Sequence, residues 1–329
     1  MHDETNIDPF DRRITYLRVS VTDRCNLRCC YCVSADGLNP LPHSEILRYE
    51  EIIEIVRAAT DLGIRKLRIT GGEPLIRRDI LPFIKLLAAT PGIEEIGVTT
   101  NGILLKDMAG PLSDAGIKRI NISLDTLNPL KFRKITLRDS FYKVMDGIAA
   151  ATEAFSLVKL NMVVIRGVND NEIPQFVELA MHHPYVVRFI ECMPIGKTGF
   201  WDIRKVLTFD EIKSRIELLG SLHQVPSMAD DGPAKRYRLK HAKGEIGIIS
   251  PLSHNFCADC NRIRLTANGR LRPCLFSDHE IDIKGPVRSG CTHKGLTDLI
   301  QKAIAQKPRR HYAGLGRESH LCSMSMIGG

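Results

Sequence analysis

The chain has 329 residues, 43% hydrophobic and 26% charged, so it can bury a large core and its composition excludes an intrinsically disordered protein. Its net charge of +8 favours an anionic partner. Because basic residues stand singly among acidic ones, we expect a local pocket that binds an anion and no nucleic-acid partner. No signal-peptide pattern and no run of roughly 18 apolar residues occurs, which predicts a soluble cytoplasmic protein without a membrane partner.

Stretches rich in β-branched residues alternate with segments of helical periodicity along the first two thirds of the chain. Strands are predicted at 14–21, 64–70, 96–100, 118–124, 157–165 and 185–190, and helices at 49–62, 80–89, 141–154 and 172–181. This alternation predicts an α/β protein with a parallel sheet and right-handed crossovers. Six strand–helix units favour a partial (β/α)6 TIM-like barrel, with a doubly wound open sheet as the alternative.

The pattern changes after about residue 220. Short alternating stretches at 236–239, 245–250, 263–266 and 270–274 are separated by turn sequences and predict antiparallel strands, and 295–306 has helical periodicity. We therefore expect two parts: a barrel at 1–220 and a small antiparallel α+β region at 221–329.

Residues typical of functional sites lie just after the predicted strands. The cysteines at 25–32 follow the first strand, Gly71-Gly72-Glu73-Pro74 the second, and Asn101-Gly102 the third. In a parallel barrel these strand ends share one rim, where barrel active sites are built. The sequence therefore predicts a single site on that rim.

The first cysteine set offers Cys25, Cys29 and Cys32 in a C-x3-C-x2-C pattern, with Cys30 as an extra thiol. A reducing compartment disfavours disulfides, and structural zinc usually takes two close pairs of ligands. Three thiolates on an iron–sulfur cluster leave one iron open to bind another molecule. Cys30 remains an alternative ligand at this point.

The second set is Cys257, Cys260 and Cys274. Taken alone, a C-x2-C pair with a distant third cysteine favours zinc over iron, with His254, Cys291 or Cys322 as the fourth ligand. The spacing by itself leaves both metals open.

The sequence around both sets resembles known families. C-x3-C-x2-C with Tyr31 before the last cysteine, followed by Gly-Gly-Glu-Pro, is similar to the radical S-adenosylmethionine superfamily. The segment "NFCADCNRIRLTANGRLRPCLF" and the motifs "LRVSVTDRCN", "TTNG", "RINISLDTL" and "RFIECMPIG" resemble the molybdenum cofactor biosynthesis protein A family along nearly the whole chain. Departures from that family's pattern are small: Val33-Ser34, Cys30 and Cys192.

The resemblance implies two 4Fe-4S clusters and S-adenosyl-L-methionine as cofactors, and a role for each matching residue. The cluster ligands it implies are Cys25, Cys29, Cys32, Cys257, Cys260 and Cys274. The S-adenosylmethionine contacts it implies are Tyr31, Gly72, Ser123 and Met193. The substrate contacts it implies are Arg18, Arg68, Thr99, Lys159, Arg262, Ile263 and Arg264. It also implies that the terminal Gly328 and Gly329 are catalytic.

The implied reaction converts GTP to 3′,8-cyclo-7,8-dihydro-GTP by hydrogen abstraction at C3′ and formation of a C3′–C8 bond, the first step of molybdenum cofactor biosynthesis. Expected partners are GTP, a one-electron donor such as flavodoxin or ferredoxin, and a downstream enzyme that forms cyclic pyranopterin; the chain is expected to be a monomer or homodimer. Two alternatives stay open from the residues: a radical enzyme that modifies a peptide or tRNA, and a zinc-bearing binding module.

Overall fold

The computed structural model describes residues 6–33, 37, 40–195, 199–226, 232–311, 313 and 324–328. Its strands are β1 (Tyr16–Ser20), β2 (Lys66–Thr70), β3 (Glu95–Thr100), β4 (Arg119–Ser123), β5 (Leu157–Val164), β6 (Val186–Glu191), β7 (Leu222–Gln224), β8 (Lys235–Leu239), β9 (Glu245–Ile249), β10 (Arg262–Leu265), β11 (Arg270–Arg272) and β12 (Ile281–Asp282). Its helices are α1 (Tyr49–Asp61), α2 (Ile80–Ala88), α3 (Leu105–Asp114), α4 (Pro129–Thr136), α5 (Phe141–Ala154), α6 (Ile173–His182), α7 (Phe209–Glu217), α8 (Lys284–Arg288), α9 (His293–Ala305) and α10 (Met324–Ile327).

All strands of the described ranges join one sheet in the order β12-β11-β10-β1-β2-β3-β4-β5-β6-β9-β8-β7. The run from β10 through β1 to β6 and on to β9 is parallel throughout. Antiparallel strands flank this run at both ends. Because the two terminal strands do not pair with each other, the sheet is an open barrel, as the strand–helix alternation predicts.

Each central strand divides its side chains between two different environments. Leu17 and Val19 of β1 are buried in the hydrophobic core, whereas Tyr16, Arg18 and Ser20 alternate with them and point to the other face. Helix α1 covers the outer face with Ile52, Ile55, Val56 and Ala59, which are fully buried at helical spacing. Each of its large aliphatic side chains contributes about 1.5–3 kcal/mol by burial. The outer layer therefore supplies the stability, and the inner face is free to carry polar groups.

The C-terminal strands extend the barrel rather than forming a separate sheet. The hairpins β7-β8-β9 and β10-β11-β12 are antiparallel, as predicted, but β9 pairs in parallel with β6 and β10 in parallel with β1. Such pairings join residues more than 200 positions apart for β1 and β10, and local patterns carry no signal for them. The division of the chain at residue 220 stays a prediction.

Helices α3, α4, α7, α8 and α10 were not among the predicted elements. Helix α3 contains Pro111, and α4 begins with Pro129 after the Asn128 cap. Proline weakens the helical periodicity of the sequence in both segments. Within the described ranges no helix has the length and apolar character needed to cross a membrane.

Candidate active site

A cavity of about 310 Å³ opens at the carboxyl ends of the parallel strands. It is lined by side chains from both cysteine sets and from most of the barrel strands. The predicted site residues that line it are Arg18, Cys25, Cys29, Tyr31, Cys32, Gly72, Thr99, Ser123, Met193, Cys257, Cys260, Arg262, Arg264 and Cys274. Residues separated by as many as 256 positions thus surround one space, as the rim argument predicts.

The loop that carries the first cysteine set is held against the end of β2. The backbone N–H of Gly72 donates to Thr22 O at 2.7 Å, and that of Glu73 donates to Arg24 O at 2.8 Å. A Cβ added to Gly72 would lie 2.2 Å from Arg24 O, and one added to Gly71 would lie 2.6 Å from Thr22 O. These two glycines are required because any side chain would push the cysteine loop away from the strand end.

Glu73 ties the same loop to the end of β3. Its carboxylate accepts hydrogen bonds from Thr100 Oγ1 and Asn101 N at 2.7 Å and from Leu75 N at 3.0 Å. Burial raises the pKa of Glu73 to about 7 despite these donors. The Asn101 side chain in turn reaches Asn26 Oδ1 at 2.7 Å and the Cys25 thiol at 3.8 Å. The Gly-Gly-Glu and Thr-Thr-Asn-Gly motifs therefore form one bonded support under the first cysteine set.

Tyr31 is anchored by a carboxylate at the end of β4. Its hydroxyl donates to Asp125 Oδ2 at 2.6 Å, and Asp125 Oδ1 accepts from Val163 N at 2.9 Å. Burial raises the pKa of Asp125 to about 6 and that of Tyr31 well above its usual value. Asp125 thereby fixes the ring of Tyr31 beside Cys29 and Cys32.

Cys30 does not share the cavity with its neighbours. Cys25, Cys29 and Cys32 all line the cavity, whereas the backbone of Cys30 donates to Ile135 O of α4 at 2.9 Å. Burial raises the pKa of all four thiols, that of Cys32 to about 12. Among the described residues, no group of three His, Cys, Asp or Glu side chains has the geometry for a single metal ion.

The second cysteine set is surrounded by cations. Lys307 is 3% exposed, and its ammonium donates to Arg262 O at 2.7 Å and Pro273 O at 2.9 Å. Burial opposes ionisation of Cys260, but the charges of Arg262 and Lys307 outweigh it and lower the pKa of this thiol to about 6. Lys307 therefore joins the segments that precede Cys274 and follow Cys260, and it stabilises a thiolate between them.

Arg12 holds the other side of this set. Its guanidinium donates to Cys257 O at 2.7 Å and to Pro308 O at 2.8 Å, and it forms a buried ion pair with Asp8. The segment before β1 and the segment after α9 are thus both bonded to the second cysteine set.

The barrel interior below the cavity is cationic. Arg18 is the Cα partner of both Arg68 and Arg264 on the strands beside it, so the three side chains leave the sheet on the same face. Arg68 reaches Tyr16 Oη at 2.8 Å, and burial lowers the pKa of Arg18 to about 10. Several positive charges in one buried space predict a polyanionic ligand, because like charges repel one another and a bound anion offsets that repulsion.

Two further cations stand on β5 and β6. Burial, together with Arg188 and Arg68 nearby, lowers the pKa of Lys159 to about 7. Arg188 lines the cavity, burial lowers its pKa to about 10, and its buried Nε has no hydrogen-bond partner among the described residues. Thr99 Oγ1, Asn121 Oδ1 and Asn161 Oδ1 are also buried without such a partner. Unsatisfied donors and acceptors at a cavity wall indicate groups that a ligand satisfies.

The C-terminal segment enters the barrel between β10 and β2. Gly328 is buried with a φ of +82°, and its carbonyl accepts a hydrogen bond from Arg264 Nη1 at 2.6 Å. A Cβ at this position would lie 2.0 Å from Thr70 Oγ1. Ser325 lines the cavity, and its backbone hydrogen-bonds the Cys32 thiol.

Comparison with known proteins decides the family. A protein from Thermodesulfovibrio yellowstonii is 49% identical over 328 residues, covering 98% of this chain and 99% of its own length, and is a GTP 3′,8-cyclase. One from Moorella thermoacetica, also a GTP 3′,8-cyclase, is 47% identical over 323 residues, with 98% and 99% covered. The chain belongs to the GTP 3′,8-cyclase family. Family models agree: residues 19–180 match the radical SAM superfamily and residues 185–313 match Molybdenum Cofactor Synthesis C.

Solved structures confirm the fold of this GTP 3′,8-cyclase family member. Streptococcus suis SuiB bound to S-adenosylmethionine superposes with a TM-score of 0.59 at 16% identity, covering 88% of this chain and 68% of SuiB. Methylornithine synthase gives a TM-score of 0.50 at 17% identity, covering 66% of each chain. The predicted radical S-adenosylmethionine superfamily and the partial barrel are both confirmed.

The remaining predicted residues of this cyclase-family chain lie outside the cavity wall. Arg68 and Lys159 lie in the barrel interior among the other cations, and Gly328 packs against Thr70. Ile263 is fully buried in the hydrophobic core on the opposite face from Arg262 and Arg264, which leaves only its backbone to contact a ligand. Gly329 lies outside the described residues.

Four residues of the site were given no role by the sequence reasoning: Asn101 and Asp125, noted only for their strand-end positions, and Arg188 and Lys307, which were missed. Asn101 and Asp125 stand in strand-end motifs, and their position at the rim is a usable signal. Arg188 stands inside an apolar strand, where a single charged residue also indicates a functional side chain. Lys307 follows α9 in a basic, polar segment, and nothing local distinguishes it from a surface lysine.

Proposed function

We propose that this chain converts GTP to 3′,8-cyclo-7,8-dihydro-GTP. The observation that carries the proposal is one cavity lined by two separate three-cysteine sets above a cationic barrel interior. Three thiols at each set match a cluster with an open coordination position, and the cations between them match a nucleoside triphosphate. The near full-length relatives that are GTP 3′,8-cyclases support the same reaction.

The first cysteine set fits a 4Fe-4S cluster and S-adenosylmethionine. Cys25, Cys29 and Cys32 face the cavity, Cys30 does not, and the glycines at the end of β2 bring backbone groups close to the same space. When bound, this pair supplies the one-electron chemistry that removes a hydrogen atom from the ribose. Tyr31, Gly72, Ser123 and Met193 line the cavity and would contact S-adenosylmethionine.

The second set fits a second cluster, because Lys307 and Arg262 favour the thiolate form of Cys260. Cys257, Cys260 and Cys274 would hold it, and its position beside Arg262 and Arg264 would place the guanine base near the open iron. Asp8 and Arg12 restrain this set through the backbone of Cys257.

The triphosphate is bound by the cations of the barrel. Arg18, Arg68, Lys159, Arg262 and Arg264 were predicted to contact the substrate, and Arg188 joins them through its unpartnered Nε. Guanidinium groups suit phosphate oxygens because they donate two parallel hydrogen bonds. Binding this polyanion reduces the mutual repulsion of the cations, so substrate binding stabilises the folded barrel.

The C-terminal tail contacts one of the predicted substrate-binding cations. Gly328 accepts a hydrogen bond from Arg264, so the position of this substrate-binding cation depends on the tail. Ser325, which lines the cavity, also helps to exclude water from the reacting ribose. We assign Gly328 and Gly329 a catalytic role on this basis.

The reaction needs an external electron, which we assign to a flavodoxin or ferredoxin, and its product passes to an enzyme that forms cyclic pyranopterin. Thiolate ligands persist in a reducing compartment, and the cytoplasm is our proposed location. The chain acts as a monomer or a homodimer. A peptide- or tRNA-modifying activity is not favoured, since the relatives that align along nearly the whole chain are cyclases.

The test is an anaerobic assay with reconstituted enzyme, S-adenosylmethionine, dithionite and a nucleotide. GTP deuterated at C3′ should give deuterated 5′-deoxyadenosine and an isomer of GTP with a new chromatographic position. ATP and UTP serve as controls and should give neither. Deuterium that stays in the nucleotide while 5′-deoxyadenosine accumulates would refute abstraction at C3′.

A further inference from the structure

A basic and partly apolar surface covers the outer side of α4 and the first turn of α5. We call it the α4 surface; it consists of Leu130, Arg133, Lys134, Leu137, Tyr142 and Lys143. Leu130, Leu137 and Tyr142 are 73%, 57% and 71% exposed, which makes them three of the nine large exposed hydrophobic side chains in the described residues. Such a concentration of exposed apolar groups marks an interaction site.

The charge of this surface is strongly one-sided. Residues 129–146 contain five basic and two acidic side chains, and one of the acids, Asp146, pairs with Lys106 at 2.9 Å. Arg133, Lys134 and Lys143 are exposed and form no ion pair with any described residue. Unpaired cations around exposed apolar side chains complement an acidic protein partner.

The α4 surface is separated from the first cysteine set by the thickness of a single helix. On the inner side of α4, Phe132 and Thr136 line the same cavity as Cys25, Cys29 and Cys32. The Cys30 N–H donates to Ile135 O, and the Arg28 N–H donates to Thr136 O, both at 2.9 Å. A helix with its side chains is about 10–12 Å across, so a partner on the outer side comes within electron-transfer reach of the inner side. The hydrogen bond from Cys30 to Ile135 joins the cysteine loop directly to the backbone of α4.

Leu137 adds a second unusual feature at the end of α4. It is a non-glycine residue with a φ of +53°, in the left-handed region, and its side chain is exposed. Its N–H donates to Arg133 O at 2.9 Å, so this conformation ends α4, and burial of the side chain contributes nothing to it. Leu137 therefore presents an exposed apolar side chain at the C-terminal end of α4.

We propose that the α4 surface docks an acidic one-electron carrier protein, which reduces the cluster held by Cys25, Cys29 and Cys32. This proposal rests on the proposed function, which requires an external electron. The occupant is a protein rather than a small reductant, because the surface combines unpaired charge with three exposed apolar side chains. The electron enters the cluster through α4, and no atom is transferred.

The experiment compares two reductants on the reconstituted full chain, with 5′-deoxyadenosine formation and the Kd for flavodoxin, measured by isothermal titration calorimetry, as the two readouts. A loss of flavodoxin-dependent rate should be accompanied by a rise in that Kd. One reductant is dithionite, which needs no docking surface; the other is an acidic flavodoxin kept reduced by NADPH and its reductase. The variant is Arg133→Glu/Lys134→Glu. Its matched control is Lys85→Glu/Lys302→Glu, which reverses two exposed charges on α2 and α9.

We expect the flavodoxin-dependent rate of Arg133→Glu/Lys134→Glu to fall at least about tenfold at low salt and to lose most of its salt dependence. The dithionite-dependent rate should match that of the unchanged chain, and the control variant should be normal with both reductants. Tyr142→Ser, which changes no charge, should raise the KM for flavodoxin while the salt dependence persists.

An equal loss with dithionite would show that the substitutions damage the first cysteine set, and an unchanged flavodoxin rate would show that the carrier docks elsewhere. Either result overturns the α4 surface as a docking site. If the unchanged chain forms no 5′-deoxyadenosine even with dithionite, the proposed function itself is wrong, and the two failures are thereby distinguished.

Discussion

Gly328→Ala should release the C-terminal tail from the barrel. The added methyl group would lie 2.0 Å from Thr70 Oγ1, closer than any real carbon–oxygen contact, so the tail has to move. Alanine at a φ of +82° costs a further 1–2 kcal/mol or so. The displaced tail also gives up the hydrogen bond from Arg264, which as a charged contact contributes about 1.5–3 kcal/mol.

The strain alone disfavours the docked tail by at least about 1–2 kcal/mol, or roughly fivefold to thirtyfold at 1.4 kcal/mol per factor of ten. The assay is anaerobic turnover with separate quantitation of 5′-deoxyadenosine and cyclised nucleotide. We expect cleavage of S-adenosylmethionine to continue, because all six cysteines are unchanged, while cyclised product falls by about the factor above. A peptide ending in Gly-Gly should restore part of the turnover.

The matched control is Gly290→Ala. Gly290 also has a positive φ, +75°, but nothing lies within 4 Å of an added Cβ, so this variant carries the backbone strain without the clash. It should make product at the normal rate. If Gly328→Ala does the same, the tail has no role in conversion of GTP and the reasoning from its buried position is refuted.

Three further predictions concern the cysteines and the cations. Cys29→Ala should abolish 5′-deoxyadenosine formation, whereas Cys30→Ala should retain most of it, because only the former lines the cavity; loss in the Cys30 variant alone would contradict this assignment. Lys159 has a pKa lowered to about 7, so its ammonium is present below that pH and lost above it. The ratio of GTP affinities between the unchanged chain and Lys159→Met, measured by equilibrium dialysis, should therefore shrink from pH 6 to pH 8 or so, and a constant ratio would exclude the role. Lys307→Met should lose about half of the bound iron while 5′-deoxyadenosine formation persists, because Lys307 supports only the second cysteine set and loss of such support weakens metal binding. Full iron content in this variant would refute the prediction.

Much of the fold follows from local sequence. The six predicted barrel strands all appear in the structure within two residues of their expected ends, because β-branched runs and helical periodicity report the environment of each segment directly. The cysteine spacing and the Gly-Gly-Glu motif are also local, and they were enough to predict a site at the strand ends, although the spacing of the second set left zinc and iron open. Helices α3 and α4 were not predicted because Pro111 lies inside the first and Pro129 begins the second. In a short helix one proline is enough to weaken the helical periodicity.

The sequence by itself determined the chemistry that this chain can hold: two three-cysteine sets, glycines at a strand end and a list of cations. Only the tertiary structure decided which of these groups meet. Arg12 bonds to Cys257 across 245 positions, Gly328 to Arg264 across 64, and β10 to β1 by a parallel pairing that no local pattern specifies. The packing of distant segments around the open barrel places Arg188 and Lys307 at the site and bonds Cys30 to α4. The reason is physical: a side chain's role in a cavity depends on the elements packed around it, and those contacts form only when distant segments fold together.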